Sequence, residues 1–330
     1  MSKRLIKPVC ISIGDVAGIS PEIIVKYFNN KKKFNPVIIP TPYIVFQKIT
    51  GKIPARFEMK IIDRLPRELD ENVVYILHID SSIEKNEVSE GKLTENVARL
   101  AVDSLKKGIE LNLNNVCSGL LTMPVDKRAF LFSGERFEGH TEFLKEYTHT
   151  NFVTMLLWSR RIKVVPMTRH IPLKDIAKNI NVADLDKVCF QLRRFYKKIN
   201  KNREPKIAVL SLNPHNGEEG MCGDEEFEIN HQLKILKEEY IIEGTFSPDG
   251  FFGRKRYREF DFIIGWYHDQ VLIPFKLLTM NKGVNVTLGI PFLRVSVDHG
   301  SAYNIAKLYK ANINSFVYAM KFIEKYGGKW

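Results

Sequence analysis

Apolar positions fall into short runs separated by amphipathic segments from one end of the chain to the other. "PVCISIG" (8–14) reads as a buried strand, β-branched and stopped by glycine. Ser20 then suits an N-cap, with Pro21 at the first helical position and Glu22 complementing the helix dipole. Further strands are expected at 36–40, 73–79 and 116–124, and Val97, Ala101, Leu105 and Ile109 mark a helix over 94–111. Beyond residue 150, "NFVTMLLWS" and "RIKVVPMTRH" predict a hairpin. Helices follow at 172–180 and 182–199, a strand at 206–214, and a charged helix from about 224 to 239. Strands are expected again at 260–267, 284–289 and 294–298. "SAYNIAKLYK" and "INSFVYAMKFIEKYG" close the chain as helices. Strand and helix alternating in this way predict an α/β protein with sites at strand C-termini.

The unusual polar residues follow that rule. "GDVAGIS", "TMPVDK", "TRHIPL", "LNPHNGEEGMCGDEE" and "YHDQ" each follow a predicted strand, and "GHTEFL" opens a helix. Three histidines, His170, His215 and His268, lie just past strands, where three imidazoles suit one divalent cation with an open coordination position. A single histidine is more often structural. The glycines at 217, 220 and 223 fit neither a dinucleotide fingerprint nor a P-loop. Pro274 suits a first helical turn, which predicts a helix starting near Ile273. Lys276 would then oppose the dipole unless it faced an anion, and Asn285 and Arg294 on the next strands could join it. Asp269 could orient His268 or move a proton.

Composition changes this picture little. The 330 residues leave room for two domains, and 50 basic against 38 acidic residues give a net charge of +12. The basic residues are scattered with no nucleic-acid motif, so a lysine-rich solvated surface is preferred to DNA or RNA binding. Four separated cysteines read as free thiols, and no apolar run is long enough to span a membrane. A cytoplasmic protein that binds neither nucleic acid nor membrane is expected.

In these blocks, running in order from residue 14 to residue 306, the sequence resembles the 4-hydroxythreonine-4-phosphate dehydrogenase family of pyridoxal 5′-phosphate biosynthesis. The blocks include "GDVAGISPEI", "SPDGFF", "YHDQ…PFK" and "VNVTLGIPFLRVSVDHGSAYNIA". The resemblance implies two α/β/α domains of the isocitrate/isopropylmalate-dehydrogenase-like fold, residues 1–135 with 278–330 and residues 136–277. The second would carry the metal ligands and dimer contacts of a homodimer whose site lies at the interface. It further implies NAD or NADP and one zinc, magnesium or cobalt ion on His170, His215 and His268. His140, Thr141, Lys276, Asn285 and Arg294 match substrate-binding positions. Asp249 and Asp269 stand as candidate catalytic acids, and His299, Gly300 and Asn304 match the cofactor loop. The implied reaction oxidises 4-phosphooxy-L-threonine to a β-keto acid that loses CO2. Siblings acting on 4-phosphothreonate or 4-phosphoerythronate, and non-redox binding or acyltransferase-like proteins of similar fold, are the alternatives. Val16, Ser20 and Val271 depart from the family pattern, which has glycine at the last of these positions.

Overall fold

The computed structural model describes residues 6–137, 139–181, 183–200, 203–280 and 282–330. In chain order the strands are β1 Val9–Ser12, β2 Val37–Pro40, β3 Glu58–Ile62, β4 Val73–Leu77, β5 Gly119–Thr122, β6 Thr154–Trp158, β7 Lys163–Pro166, β8 Lys206–Leu210, β9 Ile241–Phe246, β10 Phe262–Gly265, β11 Val284–Leu288 and β12 Arg294–Ser296. The helices are α1 Ser20–Asn29, α2 Ile44–Thr50, α3 Glu95–Leu113, α4 Arg128–Phe132, α5 His140–Tyr147, α6 Ile176–Asn179, α7 Asp184–Ile199, α8 Glu225–Leu236, α9 Pro248–Gly253, α10 His268–Thr279 and α11 Asn314–Tyr326.

These elements form two compact units, the first ending at Asn151 and resuming over Ile290–Trp330, the second spanning Phe152–Gly289. The first is thus discontinuous, with crossings at 151/152 and 289/290 rather than at 135/136 and 277/278. These crossings leave α10 (His268–Thr279) whole, whereas one at 277/278 would cut it.

In the first unit the strands lie in the order β3-β4-β2-β1-β5-β12, and every pair is parallel. A parallel sheet covered on both faces needs strands that are apolar throughout, and β1, β2, β4 and β5 are buried along their whole length. From β1 the chain winds outward through β2, while β5 and β12 lie on its other side. The turning point between β1 and β5 is where a parallel sheet opens a crevice at its C-terminal edge.

The second unit runs β11-β6-β7-β10-β8-β9. β6 and β7 form the expected antiparallel hairpin, and β7, β10, β8 and β9 are mutually parallel. Its core gathers Leu210, Phe251, Ile263, Val271 and Phe275.

Several local expectations are corrected. The N-cap of α1 is Ile19, so Ser20 is the first helical residue and Pro21 the second; the Ser20 hydroxyl is buried without a partner. The first residue of the helix expected at 182–199 lies outside the described residues, and α7 runs from Asp184. "SAYNIAKLYK" makes only a 3-10 turn over Tyr303–Leu308, flanked by Ala302 and Tyr309 in the left-handed region. The largest difference concerns Pro274, which sits inside α10 rather than at its start. The helix begins at His268, and Gln270 fixes that start. Its Oε1 accepts from Trp266 N at 2.7 Å, and its Nε2 donates to Ser211 O at 2.7 Å. A side chain reaching back from the first turn in this way satisfies an orphan donor as a capping box does.

Candidate functional site

Two groups of functional side chains form, one in each unit. In the first, β12 delivers Arg294 beside Thr122, the last residue of β5, while α5 opens on His140. Arg294 is only 2% exposed, and its Nε and Nη2 donate to Thr122 Oγ1 at 3.1 and 2.7 Å. Burial lowers the guanidinium to about 10, opposed by the charge of Glu142. The His140 ring packs edge-on to Phe130 with centroids 5.9 Å apart. Burial first, and then the positive charge of Arg294, push it down to about 3, so it is a neutral imidazole whose buried Nε2 has no partner. Thr141 follows in the first turn of α5 and is partly exposed.

The same unit carries the 298–304 loop. His299 Nδ1 meets Gly300 O at 3.0 Å, its Nε2 is buried without a partner, and burial lowers its basicity. A Cβ on Gly300 would meet only open space, and Asn304 is exposed. This loop lies against the one following β1: Ile19 N donates to Ser301 O at 3.1 Å, and the Tyr303 hydroxyl donates to Asp15.

In the second unit, the three histidines follow β7, β10 and β8, which are neighbours in the sheet. Past the end of β7, Met167 N and Thr168 N donate to Gly265 O and Trp266 O, so the two chains stay paired as they leave the sheet. His170 and His268 therefore face one pocket of about 330 Å³, shared with Arg169, Tyr267 and Asp269, with ring centroids 6.2 Å apart. Asp269 accepts from His268 Nδ1 at 2.6 Å, a contact that orients the ring. His215 stands apart from that pair. It begins a run of left-handed residues through Glu219 and exerts its charge on Asp249. Among the described residues, no three His, Cys, Asp or Glu side chains are close enough together to hold a metal ion.

Asp249 is exposed and accepts from Ser247 Oγ at 2.5 Å, a bond that holds its carboxyl below the usual range. Asn285, on β11, keeps a buried Oδ1 with no partner. Lys276 is exposed in the last turn of α10, where a cation complements the dipole. The expected first-turn conflict, and with it the electrostatic argument for an anion at Lys276, falls with the displaced helix start. Thr122, Glu142, Asp15 and Tyr303 had no assigned roles. All four lie in sequence blocks already singled out, Thr122 at the end of β5 and Asp15 three residues past β1.

A two-unit α/β chain with a buried guanidinium, neutral imidazoles and paired histidines at strand ends belongs with enzymes that act on small anionic molecules. Residues 32–323 match the family model described as pyridoxal phosphate biosynthetic protein PdxA. The chain belongs to that family. It is 38% identical to the 4-hydroxythreonine-4-phosphate dehydrogenase of Aquifex aeolicus, over 96% of this chain and 98% of that protein. It is 32% identical to the D-threonate 4-phosphate dehydrogenase of Salmonella typhimurium, over 96% and 97%. The crystal structure of a 4-hydroxythreonine-4-phosphate dehydrogenase from Klebsiella pneumoniae superposes with a TM-score of 0.85 at 29% identity, covering 96% of this chain and 98% of that one. The fold is thus the isocitrate-dehydrogenase-like one expected, and the chain is an oxidoreductase of this family. No helix among the described residues is long and apolar enough to cross a membrane.

Proposed function

We propose that the chain oxidises the C3 alcohol of 4-phosphooxy-L-threonine, with NAD or NADP, to 2-amino-3-oxo-4-phosphooxybutanoate, which decarboxylates to 3-amino-2-oxopropyl phosphate. The observation that carries this reading is the buried Arg294 with its neighbour His140, an anion site in a family of phosphorylated-substrate dehydrogenases. Arg294 would anchor a charged group of the substrate, and neutral His140 would donate or accept a hydrogen bond without repelling the guanidinium. Buried Asn285 Oδ1, lacking a partner, suits a substrate N–H or O–H donor.

His170 and His268 would offer a divalent cation two ring nitrogens on one pocket, with Asp269 orienting the His268 ring. When bound, such a cation would lower the alcohol's pKa, and the nicotinamide would accept the hydride. The open Gly300 and the buried Nε2 of His299 suit close approach of a dinucleotide. We assign the active form to a homodimer, in which the ligand set that one chain leaves incomplete is filled. The exposed Ile273 and Leu277 on α10, with Met280 at its C-cap, support an apolar contact along that helix.

The sibling reading, oxidation of 4-phosphothreonate, is favoured by the Salmonella relative's name. One assay separates them: NAD(P)H formation from 4-phosphooxy-L-threonine and from 4-phosphothreonate, with and without chelator. Turnover of the amino acid that is at least tenfold more efficient supports the proposal, and preference for the threonate rejects it. Absence of NAD(P)H with either substrate would instead support a non-redox protein.

A further inference from the structure

Tyr303 stands in the 298–304 loop, just after Ala302, whose backbone is in the left-handed region. Its hydroxyl has a defined job. It donates to Asp15, a carboxylate with no exposed surface, in the loop between β1 and α1. Ser301 also donates to Asp15, and Ala17 N donates to its Oδ1 at 3.0 Å. Asp126, held by Arg128 at 3.0 and 2.7 Å, is within hydrogen-bonding reach of the same hydroxyl. Burial raises the Asp15 carboxyl, and the three donors oppose that rise by stabilising its charge.

These contacts lie at one place in the fold. Asp15 follows β1 and Asp126 follows β5, the two strands that flank the turning point of the first sheet. Asp15 N donates to Pro124 O at 2.8 Å, tying the two strand ends together. A Cβ on Gly18 would run into Ser301 O, so the 298–304 loop is seated against the post-β1 loop with no room between them. Across from it, a Cβ on Gly91 would stand 2.7 Å from Tyr303 O. Below Tyr303, Lys307 pairs with Glu90. A phenylalanine would keep the packing but leave Asp15 with one donor fewer in a site closed to water.

We propose that Tyr303 is a positioning residue for dinucleotide binding: its bond to Asp15 holds the 298–304 loop, with His299 and Gly300, in its receptive shape at the crevice of the first sheet. This rests on the nicotinamide-dependent reading above. The bond orders the loop before the cofactor arrives, so its loss appears in cofactor affinity rather than in substrate affinity.

The test is Tyr303→Phe on the full-length protein, with NAD+ and NADP+ titrated separately by calorimetry and hydrogen exchange followed over 298–304 without cofactor. We expect about a tenfold weaker Kd and cofactor KM, faster exchange in the loop, and a phosphorylated-substrate KM within twofold of wild type. Unchanged cofactor Kd with a lowered Tm makes Tyr303 merely structural and overturns the inference. If Tyr303→Phe does not fold, Asp15→Asn reads the same contact from the acceptor side, with the same two outcomes. Failure of the wild-type protein to bind either nucleotide overturns the nicotinamide reading itself, and is distinct from equal binding by wild type and variant.

Discussion

His140 and Arg294 are neighbours in the first unit, an uncharged imidazole beside a cation that burial has lowered to about 10. Protonating the ring would put a second positive charge beside that buried cation. The ring, pushed down to about 3, therefore resists protonation in the folded state, whereas in the unfolded chain it titrates near 6.5. The unfolded state binds the proton first, so stability from this group is complete above about pH 6.5 and falls as pH drops toward 3. Between pH 7 and pH 5 the wild type should lose about 2 kcal/mol that His140→Gln does not lose. Urea unfolding at the two pH values checks this, and equal losses in both proteins would remove the linkage.

Arg294→Ala removes the proposed anion anchor together with the fork that Thr122 accepts. A charged hydrogen-bonding group is worth enough that the substrate KM should rise about 10- to 100-fold. The cofactor KM should stay within twofold. Arg294→Lys should recover only part of the loss, because an ammonium cannot reproduce two parallel N–H bonds. Initial rates with each substrate varied in turn would expose a wrong assignment as an unchanged substrate KM.

Asp269→Asn tests the histidine pair without deleting a ligand. Asp269 holds Nδ1 of His268, and second partners of this type typically contribute 10- to 100-fold in metal affinity. Competition of the metal-free protein with a chromogenic chelator for Zn²⁺ should show a weakening of about tenfold or more. His268→Ala should weaken it further and abolish turnover. Affinity unchanged in both variants would show that the metal binds elsewhere.

How much of this was legible beforehand depended on burial. The β-branched runs of β1, β2 and β4 announced themselves because both faces of a parallel sheet are covered. β3 was missed because "EMKII" lies at the sheet edge and is half exposed, with no apolar alternation. β9 was missed for a similar reason, with Glu243 and Gly244 in its middle. Arg294 and His140 were readable as candidates, but their mutual effect was not, since it arises from a fold contact between β12 and α5. Pro274 misled because its ordinary preference for a first turn lost to Gln270, whose side chain fixes the helix start six residues after Phe262 closes into the core. The pairing of His170 with His268, and the separation of His215 from them, follow from loop paths that strand patterns do not encode.

Val271 raised the question of whether the backbone after His268 takes an unusual path, since the family pattern has glycine there. It does not: the residue sits within α10, fully buried, in the core with Leu210 and Phe275. Its Cγ1 fills the space that a side chain on Gly265 would need, so the bulk absent at the strand end is supplied from the helix. Val271→Gly therefore loses a buried side chain, worth about 2 kcal/mol, and adds the helix penalty of glycine, about 1 kcal/mol. Denaturant unfolding should show a loss of about 3 kcal/mol, with Val271→Ala about 1 kcal/mol milder because it spares that penalty. Substrate and cofactor KM should stay within twofold, because the side chain points into the core rather than toward the His170–His268 pocket. A kinetic change without a stability change would instead give Val271 a part in the site.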